Sequence, residues 1–471
     1  MVFSSSEFLF VFLPLFLLVY ALLPFKNVSY SLFSLAFYFA GEGYYALIIV
    51  GSVILNYVAG LGIGSAPTAR RRGLALGIGV SFNLSLLLFF KYASFLWTNV
   101  LGNPPNAYLE QVHLPLGISF FTFHAVSYLL DIYRGDARPE RSFVDLTLYM
   151  FMFPQLIAGP ILRFHAVADQ LKSRSVSGRS VFFGWLLFCT GLAQKVLIAD
   201  SLAKLVDKSF LPNQDLSCAA AWVSALAYTF QILFDFGGYS NMAVGLGYIT
   251  GFSLPKNFEQ PYSSQSITEF WRRWHISLSR WFRDYLYIPL GGNRHGAVRT
   301  YINLAAIFLI CGLWHGAAWT FVVWGAYHGA WLVIERLGLS RVLDAMPRGL
   351  RHAYAMLVVI IGWVLFRADD IPQALRFLSS MFAPARLIDA SDAWLLTRGQ
   401  ALAFATATLL CVPALAGRVR HSVWLVRSGA LPTYVPATVY LRGALAALIL
   451  FSVAAINIVA GSYSSFIYFR F

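Results

Sequence analysis

The chain has 471 residues, of which 58% are hydrophobic and only 12% are charged, and its formal net charge is +14. Soluble globular domains carry about 25% charged residues, so this composition excludes a soluble protein and predicts an all-α polytopic membrane protein. At about 20 residues per span, the length allows roughly ten to twelve spanning helices in a single domain, residues 1–471. An excess of Lys and Arg is typical of cytoplasmic loops, so we expect a lipid bilayer and no nucleic acid around these charges.

The first half of the chain alternates apolar runs with short charged segments. The run at residues 8–24 has neither a basic leading segment nor a small-residue cleavage site, which indicates a retained first span. Glu42, between two glycines, is the only charge from residue 28 to residue 64, so we expect two spans with a turn there. Further spans are predicted at residues 74–97, 116–132, 143–160, 181–203 and 218–236. Basic loops alternate with the first five crossings, which places the N-terminus outside.

Proline and glycine interrupt the predicted span at residues 143–160, at Pro154 and at Gly159-Pro160. Within a bilayer an interrupted backbone must be buried in protein or line a cavity, so an interior channel is expected. In the last third, spans are predicted at residues 353–366, 400–416 and 441–460. Residues 371–382 are amphipathic and too short to cross, so we expect them on the membrane surface.

The four cysteines are scattered in apolar surroundings without paired spacing: Cys189, Cys218, Cys311 and Cys411. This pattern favours small core residues over a metal site or a disulfide framework, and no metal is expected.

Residues 266–285 form an arginine-rich segment that is predicted to be one amphipathic helix. Ser266 and Glu269 fit a capping box at its start. Aromatic and aliphatic side chains recur at helical spacing on one face, with His275 at its edge. Four arginines occupy the opposite face: Arg272, Arg273, Arg280 and Arg283. They fit two interpretations, snorkelling to lipid headgroups or binding a phosphorylated donor, because guanidinium groups match phosphate geometry. A helix this charged is expected at the cytoplasmic interface.

Residues 300–334 contain no Asp, Glu, Lys or Arg. A single helix of this length would measure about 52 Å, against a hydrocarbon core of about 30 Å. The segment must therefore tilt strongly or break, and Gly312, Gly316 and Gly325 are places where it can. His315 lies in the middle of this segment. Ionisable groups at that depth are costly and usually face a cavity or a partner, which favours a functional imidazole.

The other histidines carry weaker signals. On a continuous helix His328 and His315 point to different sides, so they can share a site only if the helix breaks between them. Packing roles are favoured for His328, His124 and His165. The remaining four lie in loops or at span ends and indicate nothing: His113, His295, His352 and His421.

Ordered blocks along nearly the whole chain resemble the membrane-bound O-acyltransferase family, in particular its bacterial branch of polysaccharide O-acetyltransferases. The blocks are MVFSSSEFLFVFLP (1–14), LPLGISFFTFHAVSYLLDIYRG (114–135), FPQLIAGPILR (153–163), GYSNMAVGLG (238–247), EFWRRWHISLSRWFRDYLYIPLGGN (269–293), GLWHGAAWTFVVWGAYHG (312–329) and FIYFRF (466–471). The resemblance implies a ring of about 11 transmembrane helices, with re-entrant or interfacial helices, around a central tunnel.

By this resemblance His315 is the catalytic histidine and His275 is the second histidine, both near the narrowest part of the tunnel, which Trp274 and Trp314 line. The donor substrate is acetyl-CoA, with no other bound cofactor, and its phosphates lie near three arginines: Arg272, Arg280 and Arg283. The acceptor is an extracytoplasmic polysaccharide, or a periplasmic or membrane-anchored acetyltransferase that completes the transfer. The expected location is the bacterial cytoplasmic (inner) membrane.

Two positions depart from the family pattern. Asn241 stands where an aspartate is expected, and Gly238 stands where serine is common. Residues 238–247 are expected to form a loop, and its role on the acceptor side is left open.

Acetyl transfer from a thioester to a hydroxyl needs a base for the hydroxyl proton and a donor for the developing oxyanion. We expect His315 to be the base and His275 to orient it or to polarise the thioester carbonyl. One alternative is a D-alanyl or longer-chain acyl transferase that uses a carrier-protein thioester. A proton-relaying transporter would show charged pairs and inverted repeats, and a non-catalytic scaffold would tolerate loss of both histidines.

Overall fold

The computed structural model describes residues 2–212, 214–383, 386–388, 396–412 and 436–461, and all regular structure in these ranges is helical. This confirms the predicted all-α class. The ring of about 11 helices around a tunnel stays a prediction. His421, the FIYFRF block and the end of the predicted span at 400–416 lie outside the described residues.

The chain divides into two compact units. The first is built from Met1–Phe188 with Ser240–Pro255, and the second from Cys189–Tyr239 with Lys256–Phe471. The helices of the first unit are α1 (Leu13–Leu22), α2 (Lys26–Glu42), α3 (Ala46–Ser65), α4 (Ala69–Leu87), α5 (Ala93–Phe95), α6 (Ala107–Glu110), α7 (Ile118–Arg134), α8 (Phe143–Phe151), α9 (Phe153–Leu156) and α10 (Phe164–Lys172). Two helices contribute residues to both units, α11 (Gly178–Ala193) and α13 (Cys218–Thr250).

The second unit holds α12 and the helices that follow α13. They are α12 (Asp200–Ser209), α14 (Ile267–Arg273), α15 (Ile276–Phe282), α16 (Gly296–His315), α17 (Trp319–Ile334), α18 (Ser340–Ala345), α19 (Arg348–Arg367), α20 (Ile371–Met381), α21 (Arg398–Cys411) and α22 (Ala437–Val459).

Seven helical segments among the described residues are long and apolar enough to cross a membrane. They are Lys26–Ser65, Ala69–Val100, Gly178–Ser209, Cys218–Thr250, Gly296–His315, Arg348–Arg367 and Ala437–Val459. The segment Phe8–Leu22 is apolar but shorter. The first of the seven turns at Gly43, whose φ of 56° follows the end of α2 at Glu42, so the turn predicted at this glycine pair is confirmed. The protein is therefore a multi-pass membrane protein.

The interruption predicted between residues 143 and 160 is present and buried. Helix α8 ends at Phe151, before Pro154, and every residue from 146 to 162 is buried. Buried side chains satisfy the freed backbone groups, since Gln155 Nε2 donates to the Tyr149 carbonyl at 2.7 Å and Ser34 Oγ accepts from Phe153 N at 3.3 Å. This arrangement meets the requirement that a broken backbone at membrane depth be buried in protein.

Helix α13 corrects the prediction of a span at 218–236 followed by a loop at 238–247. It runs without a break from Cys218 to Thr250, so Asn241 lies on a helix. The glycines of this block allow close packing and do not turn the chain. A Cβ at Gly238 would lie 2.6 Å from the Gly191 carbonyl oxygen, and one at Gly245 would lie 2.5 Å from that of Gly184. No larger residue fits at either position without movement of the backbone.

For residues 300–334 either a strong tilt or a break was expected, and the structure shows the break, because α16 ends at His315 and α17 begins at Trp319. The two helices run antiparallel with their backbones in contact. A Cβ at Gly312 would lie 2.2 Å from the Phe321 carbonyl oxygen, and one at Gly325 would lie 2.3 Å from that of Phe308. Small residues allow this approach, so the glycines fix the geometry of the helical hairpin whose first helix ends at His315.

Three further predictions can be compared with the structure. The segment predicted at 371–382 forms the short helix α20 (Ile371–Met381), which Asp370 caps through Gln373 N, and its location on the membrane surface stays a prediction. His165 hydrogen-bonds the buried Asp131 carboxylate at 2.9 Å, and His124 Nε2 accepts from Leu162 N at 3.3 Å. Both histidines contribute to packing and to hydrogen bonding within the first unit, as predicted.

Candidate active site

The predicted single helix at 266–285 is wrong, because the chain breaks at His275. Helix α14 ends at Arg273 and α15 begins at Ile276. His275 has φ 43° and ψ 55°, the left-handed conformation, which costs about 1–3 kcal/mol for a non-glycine residue. Ser266 Oγ does accept from Glu269 N at 3.0 Å, as the predicted helix start requires. His275 therefore occupies a corner between two short helices and does not lie on a helix face.

An extended segment before Pro261 holds this corner from both sides. Glu259 N donates to the Arg273 carbonyl at 2.9 Å, and Ile276 N donates to the Asn257 carbonyl at 2.9 Å. These backbone bonds are made one or two residues before and after His275. They satisfy groups that a continuous helix would have bonded internally, which explains how the left-handed residue is stabilised.

The side chain of Asn257 selects the tautomer of His275. Its Oδ1 accepts from Ser277 N at 3.3 Å and from Ser277 Oγ at 2.9 Å. A backbone N–H can only donate, so this amide cannot be turned around. His275 Nδ1 lies 3.0 Å from the same oxygen and must carry the proton. The other ring nitrogen, Nε2, is therefore a lone-pair acceptor, and no described residue hydrogen-bonds it.

The environment of His275 keeps its ring neutral. The side chain is 1% exposed, and the Phe236 ring packs edge-on at 4.7 Å between centroids. Burial lowers the pKa of His275 to about 3, because a charged imidazolium is poorly solvated there. At neutral pH this residue can therefore accept a hydrogen bond through Nε2, but it cannot donate from that atom.

His315 is the last residue of α16 and lies within a cage of aromatic rings. It is 6% exposed, and three ring centroids lie close to it: Trp314 at 4.8 Å, Trp324 at 5.2 Å and Phe366 at 5.2 Å. Such surroundings exclude bulk water and strengthen the electrostatic interactions of the imidazole.

The structure brings both predicted catalytic histidines to the indole ring of Trp314. Its centroid is 6.4 Å from that of His275 and 4.8 Å from that of His315. Trp274 packs elsewhere in the cluster, at 4.9 Å from Phe258 and 4.8 Å from Trp363. Of the two tryptophans that were predicted to line the tunnel, Trp314 is therefore the one in contact with both imidazoles.

His328 lies on the second indole of the cluster. Its ring is 5.2 Å from Trp324, the same distance that separates Trp324 from His315, so the break after α16 lets both histidines contact one indole. The ring is fully buried, and a Cβ at Gly362 would lie 2.5 Å from its Nε2. These close contacts agree with the packing role predicted for His328.

The helix break also divides the predicted arginine face. Arg272 lies on α14 and Arg280 on α15, and both side chains are exposed. Arg273 pairs with Glu269 at 2.6 Å, and Arg283 pairs with Asp284 at 2.7 Å. Among the three arginines that were predicted to bind the donor, Arg283 is therefore the one that pairs with a carboxylate, and the binding of a donor stays a prediction for all three.

A buried carboxylate anchors the start of α14. Glu335, 3% exposed, accepts from Ile267 N at 2.6 Å and from Thr268 N at 2.9 Å, and the hydroxyl of Tyr354 donates to it at 3.1 Å. A negative charge at a helix N-terminus is favourable, and its hydrogen bonds are charge-assisted. This residue therefore joins α14 to the end of α17 and to α19.

Replacing Asn257 by leucine is expected to lower kcat by between about tenfold and a hundredfold with little change in KM, because His275 would lose its tautomer and orientation. Asn257→Asp is expected to restore much of the activity and to move the acidic limb of the pH profile upward, since a carboxylate beside Nδ1–H raises the pKa of the imidazole. Ser277→Ala is the matched control, because it removes one contact to Asn257 and leaves the histidine bond. Equal losses in Asn257→Asp and Asn257→Leu would contradict this role.

Known proteins share much of this sequence. The pattern of the membrane-bound O-acyltransferase family matches residues 73–371. The "Probable alginate O-acetylase AlgI" of Azotobacter vinelandii is 46% identical over 81% of this chain and 78% of its own length. A peptidoglycan O-acetyltransferase of Helicobacter pylori is 37% identical over 81% and 80%, and a teichoic acid D-alanyltransferase of Bacillus subtilis is 29% identical over 45% and 56%. The chain therefore belongs to the membrane-bound O-acyltransferase family and is a multi-pass membrane O-acyltransferase.

Proposed function

We propose that this enzyme transfers acetyl groups from cytoplasmic acetyl-CoA to hydroxyls of an extracytoplasmic polysaccharide, or to a partner protein that completes O-acetylation, in the bacterial inner membrane. The observation that carries the proposal is the pair of buried imidazoles, His275 and His315, on the Trp314 indole. The relatives named for alginate and peptidoglycan O-acetylation support a cell-envelope polymer as the final acceptor.

The proposed reaction needs one base and no covalent enzyme intermediate. The acceptor hydroxyl oxygen attacks the thioester carbonyl carbon while His315 takes the hydroxyl proton. The carbon–sulfur bond then breaks, and the proton passes to the sulfur of the leaving CoA. Two roles were expected for His275, to orient His315 or to polarise the thioester carbonyl. We favour the orientation of His315, because Nε2 of His275 is an acceptor and cannot donate to an oxyanion while the ring is neutral.

Replacing the exposed Arg272 and Arg280 by glutamine is expected to raise the KM for acetyl-CoA by about tenfold for each residue and to leave kcat nearly unchanged. A hydrogen bond to a charged phosphate contributes about 1.5–3 kcal/mol when it is formed equally in the ground and transition states. Arg273→Gln is the matched control, since that side chain is held by Glu269 and by Ser263. An unchanged KM in both test variants, measured in initial-rate assays, would exclude a donor-binding role for these residues.

The donor and the acceptor can be tested together with purified protein in proteoliposomes. Acetyl-CoA with a labelled acetyl group is supplied on one side, and the extracted envelope polysaccharide of the host on the other. We expect the wild-type protein, and only the wild-type protein, to place labelled acetyl groups on the polysaccharide as esters that alkali releases. If label reaches the polysaccharide only when a second host protein is added, the acceptor is the partner protein. Label that never leaves acetyl-CoA in either arrangement contradicts the proposal.

The competing function is D-alanyl or other acyl transfer from a carrier-protein thioester. The similarity to teichoic acid D-alanyltransferases favours it, but that similarity covers less than half of this chain. Mass spectrometry of the modified polymer separates the two, because an acetyl ester and a D-alanyl ester add different masses.

A further inference from the structure

A cavity of about 690 Å³ lies in the first unit, and none of the residues proposed for acyl transfer lines it. Its volume is within the range of small-ligand sites, about 300–1,000 Å³. Three cationic side chains line it, Lys26, Lys172 and Arg174, together with one carboxylate, Asp145. Lys172 pairs with Asp145 at 2.9 Å and with the buried Glu140 at 2.5 Å, so Lys26 and Arg174 are the cations of the lining that favour a bound anion.

The cationic side chains are fixed in position by the protein. Lys26 donates to the Tyr20 and Ala21 carbonyls at the end of α1. Arg174 donates through Nε to the Thr250 carbonyl at 3.1 Å, and its guanidinium stacks on the Phe252 ring at 4.3 Å. A site whose charges are already ordered loses little conformational entropy when it binds.

The cavity lies where several apolar helices begin or end. Helix α1 ends at Leu22 and α2 begins at Lys26, while α11 begins at Gly178 and α13 ends at Thr250. Residues of the cavity wall adjoin or contact each of these ends. Because apolar helices end at the boundary between hydrocarbon and water, the cavity is at headgroup level.

Exposed apolar side chains form one border of the same cavity. Phe25 is 71% exposed, and Val28 and Val176, which also line the cavity, are exposed as well. A soluble phosphate has no apolar part that could contact these side chains. An anionic group that carries acyl chains would place its charge among the cations and its chains along these side chains.

We propose that this cavity binds the headgroup of an anionic phospholipid. The phosphate lies against Lys26 and Arg174, beside the carboxylate-paired Lys172, and the acyl chains leave past Phe25 and Val176. The site is independent of the acyl-transfer proposal, since it uses none of the residues assigned to that reaction.

The sharpest test adds a charge and removes no contact. Ser173 lines the cavity and is exposed, so Ser173→Asp places a carboxylate among the cations, and Ser173→Asn is its uncharged control of similar size. The full-length protein in detergent is titrated with phosphatidylglycerol or phosphatidylcholine, and bound lipid is counted by native mass spectrometry. Wild type and Ser173→Asn are expected to favour phosphatidylglycerol about fivefold or more, and Ser173→Asp is expected to lose that preference, since each basic residue near an anionic group contributes about 1 kcal/mol.

Further experiments distinguish a lipid phosphate from a soluble phosphate ester and test whether binding takes place in this cavity. Lys26→Gln is expected to weaken phosphatidylglycerol binding about fivefold, whereas Arg71→Gln, an exposed arginine outside the cavity, is expected to change nothing. Glycerol 3-phosphate at the concentration of the lipid is expected not to compete. Equal binding of the two lipids, an unchanged preference in Ser173→Asp, or full competition by glycerol 3-phosphate would each overturn the lipid assignment.

Discussion

Replacing His315 by alanine is expected to lower acyl transfer by about 10²- to 10⁴-fold while the protein still accumulates in the membrane, because the substitution removes the base from a buried aromatic cage. The measurements are the O-acetyl content of the polysaccharide in a native host and the amount of protein in the membrane fraction. Phe366→Leu is a useful comparison, because it changes the cage around the ring without touching the imidazole. Its activity should fall much less than that of His315→Ala.

Undiminished O-acetylation in His315→Ala at normal expression would defeat the assignment of the base. If His315→Ala loses both activity and membrane accumulation, His315→Gln separates a folding defect from the loss of the base, because it keeps a polar side chain at the end of α16. Gln cannot act as a base near neutral pH, so an active His315→Gln enzyme would also contradict a catalytic role.

Replacing His275 by asparagine is expected to lower kcat by about a hundredfold or more and to change the melting temperature little. Asparagine tolerates the left-handed conformation seen at this position, so the variant removes the imidazole without straining the corner between α14 and α15. His275→Ala is the informative partner, because alanine disfavours that conformation and is expected to lower both activity and melting temperature. Wild-type activity in His275→Asn would show that the position needs only its backbone geometry.

Stability at acidic pH provides an independent readout for His275. Its folded-state pKa of about 3 is below its usual value of about 6.5, so the unfolded chain binds the extra proton first. The stabilisation from the neutral ring is therefore complete above about pH 6.5 and is lost as pH falls towards 3. The melting temperature of wild type is expected to fall from pH 7 to pH 5 by more than that of His275→Asn.

The apolar spans could be predicted from the sequence because their signal is local. A charge-free run of known length must cross or break, and this reasoning correctly placed a break within residues 300–334 and a turn at Gly43. The corner at His275 could not be predicted in this way. Apolar residues keep helical spacing across it, and the contacts that break the helix come from Asn257 and Glu259, about 15 residues earlier in the chain.

Two other misses have a similar physical origin. Glycines in residues 238–247 indicated a loop, yet they serve close packing of α13 against the carbonyl oxygens of Gly184 and Gly191. Asn257 carries no spacing signal, because an asparagine in a short segment between two prolines is typical of any loop. Only its three hydrogen bonds to His275 and Ser277 reveal its role.

The carboxylate of Glu335 has a practical consequence for protein engineering. By hydrogen-bonding residues 267 and 268 at the end of α17, it closes a loop of chain that contains both histidines proposed to act in catalysis. Residues inserted within that loop are tolerated only where the backbone is exposed and forms a turn. The exposed turn at residues 293–295, which leads into Gly296 with its positive φ, offers such a position. A small epitope or spectroscopic label inserted there should leave the register of the two histidine-bearing segments intact.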